Sequence, residues 1–286
     1  MEKIKILIPT DFSEQAEFAF LLVQNLTRKL KADIHFIHVM EVPDTVTLDS
    51  NGKIQTCGDI DAAGLESRKK IIERKLAELH TTYGTEFSTH LRLGKVTDTL
   101  LDEAHNGGYH LVVMGTKGTY GIRGFLAGSE AQLIARKVRI PLLTLKCDRG
   151  DLDIRNILLV HDFEHGETLE MPLLFKIKSA FGAKLHLLQI VDDNTPAARA
   201  KSLAAMESYA SKANWGNVET HVLADADVEK GVIHFNQMAD MDLICIGTHG
   251  RSGLSHIFRT SATEKLIQHL FKPILTFQLD TIPQQG

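Results

Sequence analysis

The stretch KIKILIPTDF at residues 3–12 returns as IRNILLVHDF at 154–163, an offset of 151 residues that pairs Asp11 with Asp162. The echo extends outward. ADIHFIHVM, from residue 32, aligns at the same offset with AKLHLLQIV, from 183, and pairs His35 with His186. HLVVMGTKG at 110 then matches DLICIGTHG at 242, and RIPLLTL matches FKPILTF, now offset by 132. The first copy therefore carries about 19 extra residues between its second and third apolar runs. An internal repeat of this length describes two similar domains, 1–148 and 152–286, joined near CDRGD at 147–151.

Each copy alternates short Ile, Leu and Val runs with longer amphipathic stretches, the pattern of a parallel sheet covered by helices. Strands are expected near 3–9, 33–39, 87–92, 110–114 and 142–146, and helices near 14–31, 63–83, 96–106 and 129–138. The second copy repeats this with strands near 155–161, 184–190, 217–223, 242–246 and 274–278. Such alternation predicts an α/β fold of two doubly wound open sheets, whose ligands bind beyond the C-terminal strand ends. The extra segment, about 41–60, contains TVTL, DSNG and KIQT, a β-hairpin turning at Asn51-Gly52. It leaves the second strand at its C-terminal end and is expected to project over the ligand rim, either as a plain solvated loop or as a lid or subunit contact.

Composition narrows the function classes. With 43% apolar and 24% charged residues the chain can bury a core. No apolar run approaches the roughly 18 residues of a membrane span, and MEKIKILIPTDF has too short an apolar centre for a signal peptide, so a cytoplasmic protein is expected. A net charge of −4 without a basic stripe argues against nucleic acid. Cys57, Cys147 and Cys245 are scattered and suggest neither a disulfide framework nor a zinc cluster, and Cys245 belongs to the core.

Chemistry concentrates in GTKGTYGIRGFLAGS at 115–129, directly after the fourth apolar run. Gly115, Gly118, Gly121 and Gly124 permit positive φ and close approach of a ligand to the main chain. Ser129 and Gln132 fit a capping box, so a loop of free N–H groups ends at a helix N-terminus, which favours a phosphate. Lys117 and Arg123 add positive charge, and Asp11 could accept hydrogen bonds from ribose hydroxyls or an adenine amine. Each also has a plainer role: Ser129 as a cap, Asp11 as a partner of Ser13 in starting the first helix, the two cations as solvated surface charges.

These residues resemble the universal stress protein family, in its tandem two-domain form. The family's nucleotide motif, Gly-x2-Gly-x9-Gly-Ser/Thr, is met by Gly115, Gly118, Gly128 and Ser129. The resemblance implies an adenine nucleotide α-hydrolase-like fold, two five-stranded sheets in the order 3-2-1-4-5, with ATP at the rim, with or without Mg²⁺. It places Pro9, Thr10, Asp11 and Val39 at the adenosine end, and Met114, Gly115, Lys117, Gly118, Gly128, Ser129 and Glu130 around ribose and phosphates. It further implies that the two last strands pair edge to edge, an intrachain pseudo-dimer that leaves a homodimer open.

The second copy departs from the motif. Gly247 and Gly250 are kept, but Thr260 replaces the last glycine, with Ser261 and Glu264 preserving the capping box, and His161 replaces Thr10. ATP is therefore expected in the first domain. His161, His165, His249 and His256 fall on the second rim without a metal-ligand pattern supported by a helix. No general base is evident beside a γ-phosphate, so the leading reading is a stress-response regulator acting through conformation or an unknown protein partner. Slow ATP hydrolysis stays open. The alternatives are a scaffold or small-ligand protein with a vestigial nucleotide site, and an adenylating enzyme, which would need a glycine-rich loop where PTDFSEQ stands.

Overall fold

The computed structural model describes residues 3–58, 60–84, 86–116, 133–163, 171–248 and 260–278. The first copy runs β1 (Ile4–Pro9), α1 (Glu14–Thr27), β2 (Ala32–Met40), β3 (Val46–Leu48), β4 (Ile54–Thr56), α2 (Ala62–Tyr83), β5 (Ser88–Leu93), α3 (Val96–Asn106), β6 (Leu111–Gly115), α4 (133–137) and β7 (Leu142–Leu145). The second runs β8 (Asn156–Val160), α5 (Pro172–Phe181), β9 (Lys184–Val191), α6 (Pro196–Lys212), β10 (Val218–Ala224), α7 (Val228–Ala239), β11 (Leu243–Thr248), α8 (Thr260–His269) and β12 (Ile274–Gln278).

The long strands are apolar throughout because both of their faces are covered. Ile4, Ile6 and Ile8 of β1 enter a core shared with α1, and Leu7 enters the opposite core with α3 and α4. The second copy divides in the same way, α5 and α6 on one face, α7 and α8 on the other. Cys245 is fully buried in the first of these cores.

One continuous sheet has the order β10-β9-β8-β11-β12-β7-β6-β1-β2-β5. Neighbours are parallel except β7 and β12, which meet antiparallel with Leu275 opposite Leu143. The last strand of each copy thus covers the other's open edge, which would otherwise present unpaired N–H and C=O groups. Two threonines repeat the contact across the joint: Thr144 Oγ1 donates to Ile274 O at 3.4 Å, and Thr276 Oγ1 donates to Leu142 O at 3.3 Å.

The inserted hairpin forms, with β3 antiparallel to β4 and Gly52 at φ 73°. It packs on α2, where Val46 and Ile54 find an apolar bed in Met40, Ile72 and Leu76. α8 joins the second copy to the first. Both carboxylate oxygens of Glu264 take hydrogen bonds from Arg136 of α4. A forked guanidinium matches a carboxylate with two parallel hydrogen bonds, and here it ties the two copies together. Among the described residues, no helix is long and apolar enough to cross a membrane.

Candidate functional site

The turn between β1 and α1 is built by short side chains serving backbone groups. Thr10 Oγ1 accepts from the Phe12 N–H at 3.0 Å, Asp11 Oδ1 from the Ser13 N–H at 3.0 Å, and Ser13 Oγ from the Ala16 N–H at 3.3 Å, capping α1. They hold Phe12 at φ 63°, a region that non-glycine residues seldom occupy. Its ring stacks on His38, with centroids 4.8 Å apart, and the Lys75 ammonium lies 5.1 Å from its centre. His38 Nδ1–H donates to Thr10 O at 2.7 Å. Burial pushes the His38 pKa below its ordinary value, against the opposing pull of that hydrogen bond.

Gly115 ends β6 directly against this turn. A Cβ there would lie 1.7 Å from the Gln15 carbonyl oxygen, and its φ is not positive. The glycine therefore makes room for the approach of α1 to the sheet, a role in the fold that does not call on positive φ. Beside it opens a cavity of about 170 Å³ at the C-terminal ends of β1, β2 and β6. Pro9, Thr10, Asp11, Val39, Met114 and Gly115 line it, with Val96 and Leu100 of α3 closing the apolar side. Asp11 is exposed at its mouth.

Six of the expected residues thus converge on one hollow, while Lys117, Gly118, Gly128, Ser129 and Glu130 lie outside the described residues. His38, Val96 and Leu100 were not anticipated. The four-residue spacing of Val96 and Leu100, which sets both on one helix face, is the signal that could have found the last two.

The second copy keeps the turn and changes the hollow. Phe163 has φ 55°, and its N–H donates to His161 Nδ1 at 2.8 Å, so His161 takes over the acceptor role of Thr10. Asp162, the counterpart of exposed Asp11, is only 1% exposed. Ile190 stands where Val39 does and packs on Gly231 of α7, where an added Cβ would fall 2.6 Å from Ile190 Cδ1. Val228 and Val232, the counterparts of Val96 and Leu100, are buried. A different cavity of about 400 Å³ opens between the end of β9 and α6, lined by Asp162, Gln189, Asp193, Lys201 and Ser202 among others. The other rim histidines, His165, His249 and His256, lie outside the described residues, as does Gly250.

The universal stress protein family model matches residues 4–146 and again 154–278. The chain belongs to the universal stress protein family. Its two matched segments make it a tandem universal stress protein, with the family's domain occurring twice. A universal stress protein of Synechocystis is 23% identical over 96% of this chain and 99% of its own length. One from Methanocaldococcus jannaschii is 29% identical over 50% of this chain and 81% of its own. Among solved structures, a universal stress protein from Archaeoglobus fulgidus superposes with a TM-score of 0.70 at 17% identity, covering 97% of this chain and 99% of the other. That likeness extends the shared fold over both copies.

Proposed function

We propose that this universal stress protein is a cytoplasmic regulator that binds an adenine nucleotide, ATP with or without Mg²⁺, in the domain formed by residues 1–148, and acts through conformation or contact with a protein partner. The observation that carries the reading is the hollow at the first rim. It has an apolar wall for a base, formed by Val39, Val96 and Leu100, and a carboxylate, Asp11, at its mouth for ribose hydroxyls. The chain leaves it at Gly115, where the motif that continues through Gly118, Gly128 and Ser129 supplies backbone N–H groups for phosphates. In the domain formed by residues 152–286, the larger Ile190 replaces Val39 and packs on Gly231 of α7, and Thr260 replaces Gly128, which supports one nucleotide per chain.

Calorimetric titration of ATP tests this, together with mass spectrometry of nucleotide released from the purified protein. One equivalent is expected to bind to the wild type, with Val39→Phe and Gly128→Val each weakening it by about 10-fold or more, ~1.4 kcal/mol. Absence of binding, or equal binding by all three proteins, overturns the site. Turnover near or above about 1 per second, as in ordinary enzymes, overturns the regulatory role.

A second reading, a small-ligand function in the second copy, is favoured by Gln189. Its Oε1 is buried beside the 400 Å³ cavity without a hydrogen-bond partner among the described residues. A buried amide oxygen left so is unusual without a water or ligand to serve it.

A further inference from the structure

At the opposite end of the second copy's strands from the rim, His186 of β9 stands directly across from Glu219 of β10, with His221 two residues further along the same face. His186 Nδ1 lies 3.1 Å from His221 Nε2 and 3.1 Å from Glu219 Oε2, and the last two atoms are 3.8 Å apart. We propose that these three side chains form a site for a divalent transition-metal ion of the zinc type.

Three arguments support it. The first is size: zinc bonds of about 2.0–2.2 Å in tetrahedral geometry set donor atoms roughly 3.3–3.5 Å apart, so the observed triangle matches one face of such a site. The second is orientation. His186 Nε2–H donates to Asn156 Oδ1 at 3.3 Å, which leaves the Nδ1 lone pair pointing at the other two donors. Metal-binding histidines are commonly fixed by such a bond on the far nitrogen. The third is charge. Lys184 of β9 engages Glu219 Oε1, leaving Oε2 as the free donor. Phe235 of α7 backs His221, with ring centroids 4.8 Å apart. The His186 side chain is 8% exposed and that of Glu219 44%, so an ion held by the three keeps a solvent-facing position for a fourth ligand.

The first copy is an internal control. His35 and His90 repeat the stacked pair, with Nδ1 and Nε2 3.0 Å apart. Ser88 stands where Glu219 does, so the carboxylate donor is missing, and the far nitrogen, His35 Nε2, faces Asp33 Oδ2 at 3.4 Å instead of an amide oxygen, because Lys5 stands where Asn156 does. The proposal is specific to the second pair.

Cobalt(II), titrated into the full chain as a spectroscopic stand-in for zinc, tests it. The wild type and His35→Ala are expected to bind one equivalent with the strong visible absorption of a four-coordinate site. His221→Ala and Glu219→Gln, with folding checked by circular dichroism, should weaken binding by about 100-fold or more, at least the upper end of what losing a ligand's supporting hydrogen bond costs. No saturable cobalt binding by the wild type overturns the proposal. So does binding that survives unchanged in folded His221→Ala and Glu219→Gln, which would assign the ion to other residues.

Discussion

The two β-to-α turns, Thr10 to Ser13 and His161 to Phe163, are the same backbone device made from different chemistry. Both hold a phenylalanine at positive φ, 63° and 55°, and both satisfy its N–H from the side chain two residues earlier. Around that shared frame the side chains have diverged. Asp11 faces solvent at the mouth of a hollow, whereas Asp162 is buried. Val39 lines the hollow, and its larger counterpart Ile190 packs on Gly231. The lesson is that a doubled fold preserves backbone hydrogen bonding, because an unpaired buried group costs about 1–3 kcal/mol in either copy. It leaves the pockets free to differ, since a methyl group more or less there changes what binds without breaking the frame.

Four experiments would break or sharpen that contrast. Gly115→Ala attacks the frame itself: the new Cβ meets main-chain atoms of Gln15 that cannot rotate away. The expected loss is about 3 kcal/mol or more, the upper range for overpacking, read as a lower urea midpoint. Gly231→Thr copies Thr99 of the first domain into the second and sets a Cβ against the flexible end of Ile190. A loss of about 1–3 kcal/mol is expected, and an unchanged midpoint would show that α7 does not depend on the glycine.

Thr10→Val removes only the acceptor for the Phe12 N–H, and about 1 kcal/mol should be lost by the same measurement. The gentlest comparison lies where the copies join. Lys146 follows β7, while its counterpart Gln278 carries no charge. Burial pushes the Lys146 pKa down to about 8 from 10.5. Between those two values the unfolded chain holds a proton that the folded chain has released, so stability should rise with pH across that window. Lys146→Met is expected to flatten the rise, and an unchanged slope would remove Lys146 as its source.

Much of the architecture was legible in the sequence for a physical reason. Strands buried on both faces must be apolar throughout, and a repeat fixes which runs correspond. Pro9, Thr10, Asp11, Met114 and Gly115 were legible as rim residues because they follow directly on such runs. His186, Glu219 and His221 were not. Their proximity depends on the register of β9 against β10, and the helix between those strands hides it from any spacing rule. The Arg136–Glu264 pair was hidden for a related reason: its members are distant in sequence and adjacent only once the two copies have docked.

By itself the sequence determined the doubled α/β plan, the alternation of strand and helix, the place of the rim and the family, all of which rest on local hydrophobic pattern and motif. Tertiary structure alone decided that Gly115 makes room for a helix, that the hairpin lies on α2, that Ile190 packs on Gly231, and that two histidines and a glutamate converge at the far end of the sheet. Those outcomes depend on distances of a few ångströms between segments far apart in the chain, which packing sets and composition does not record.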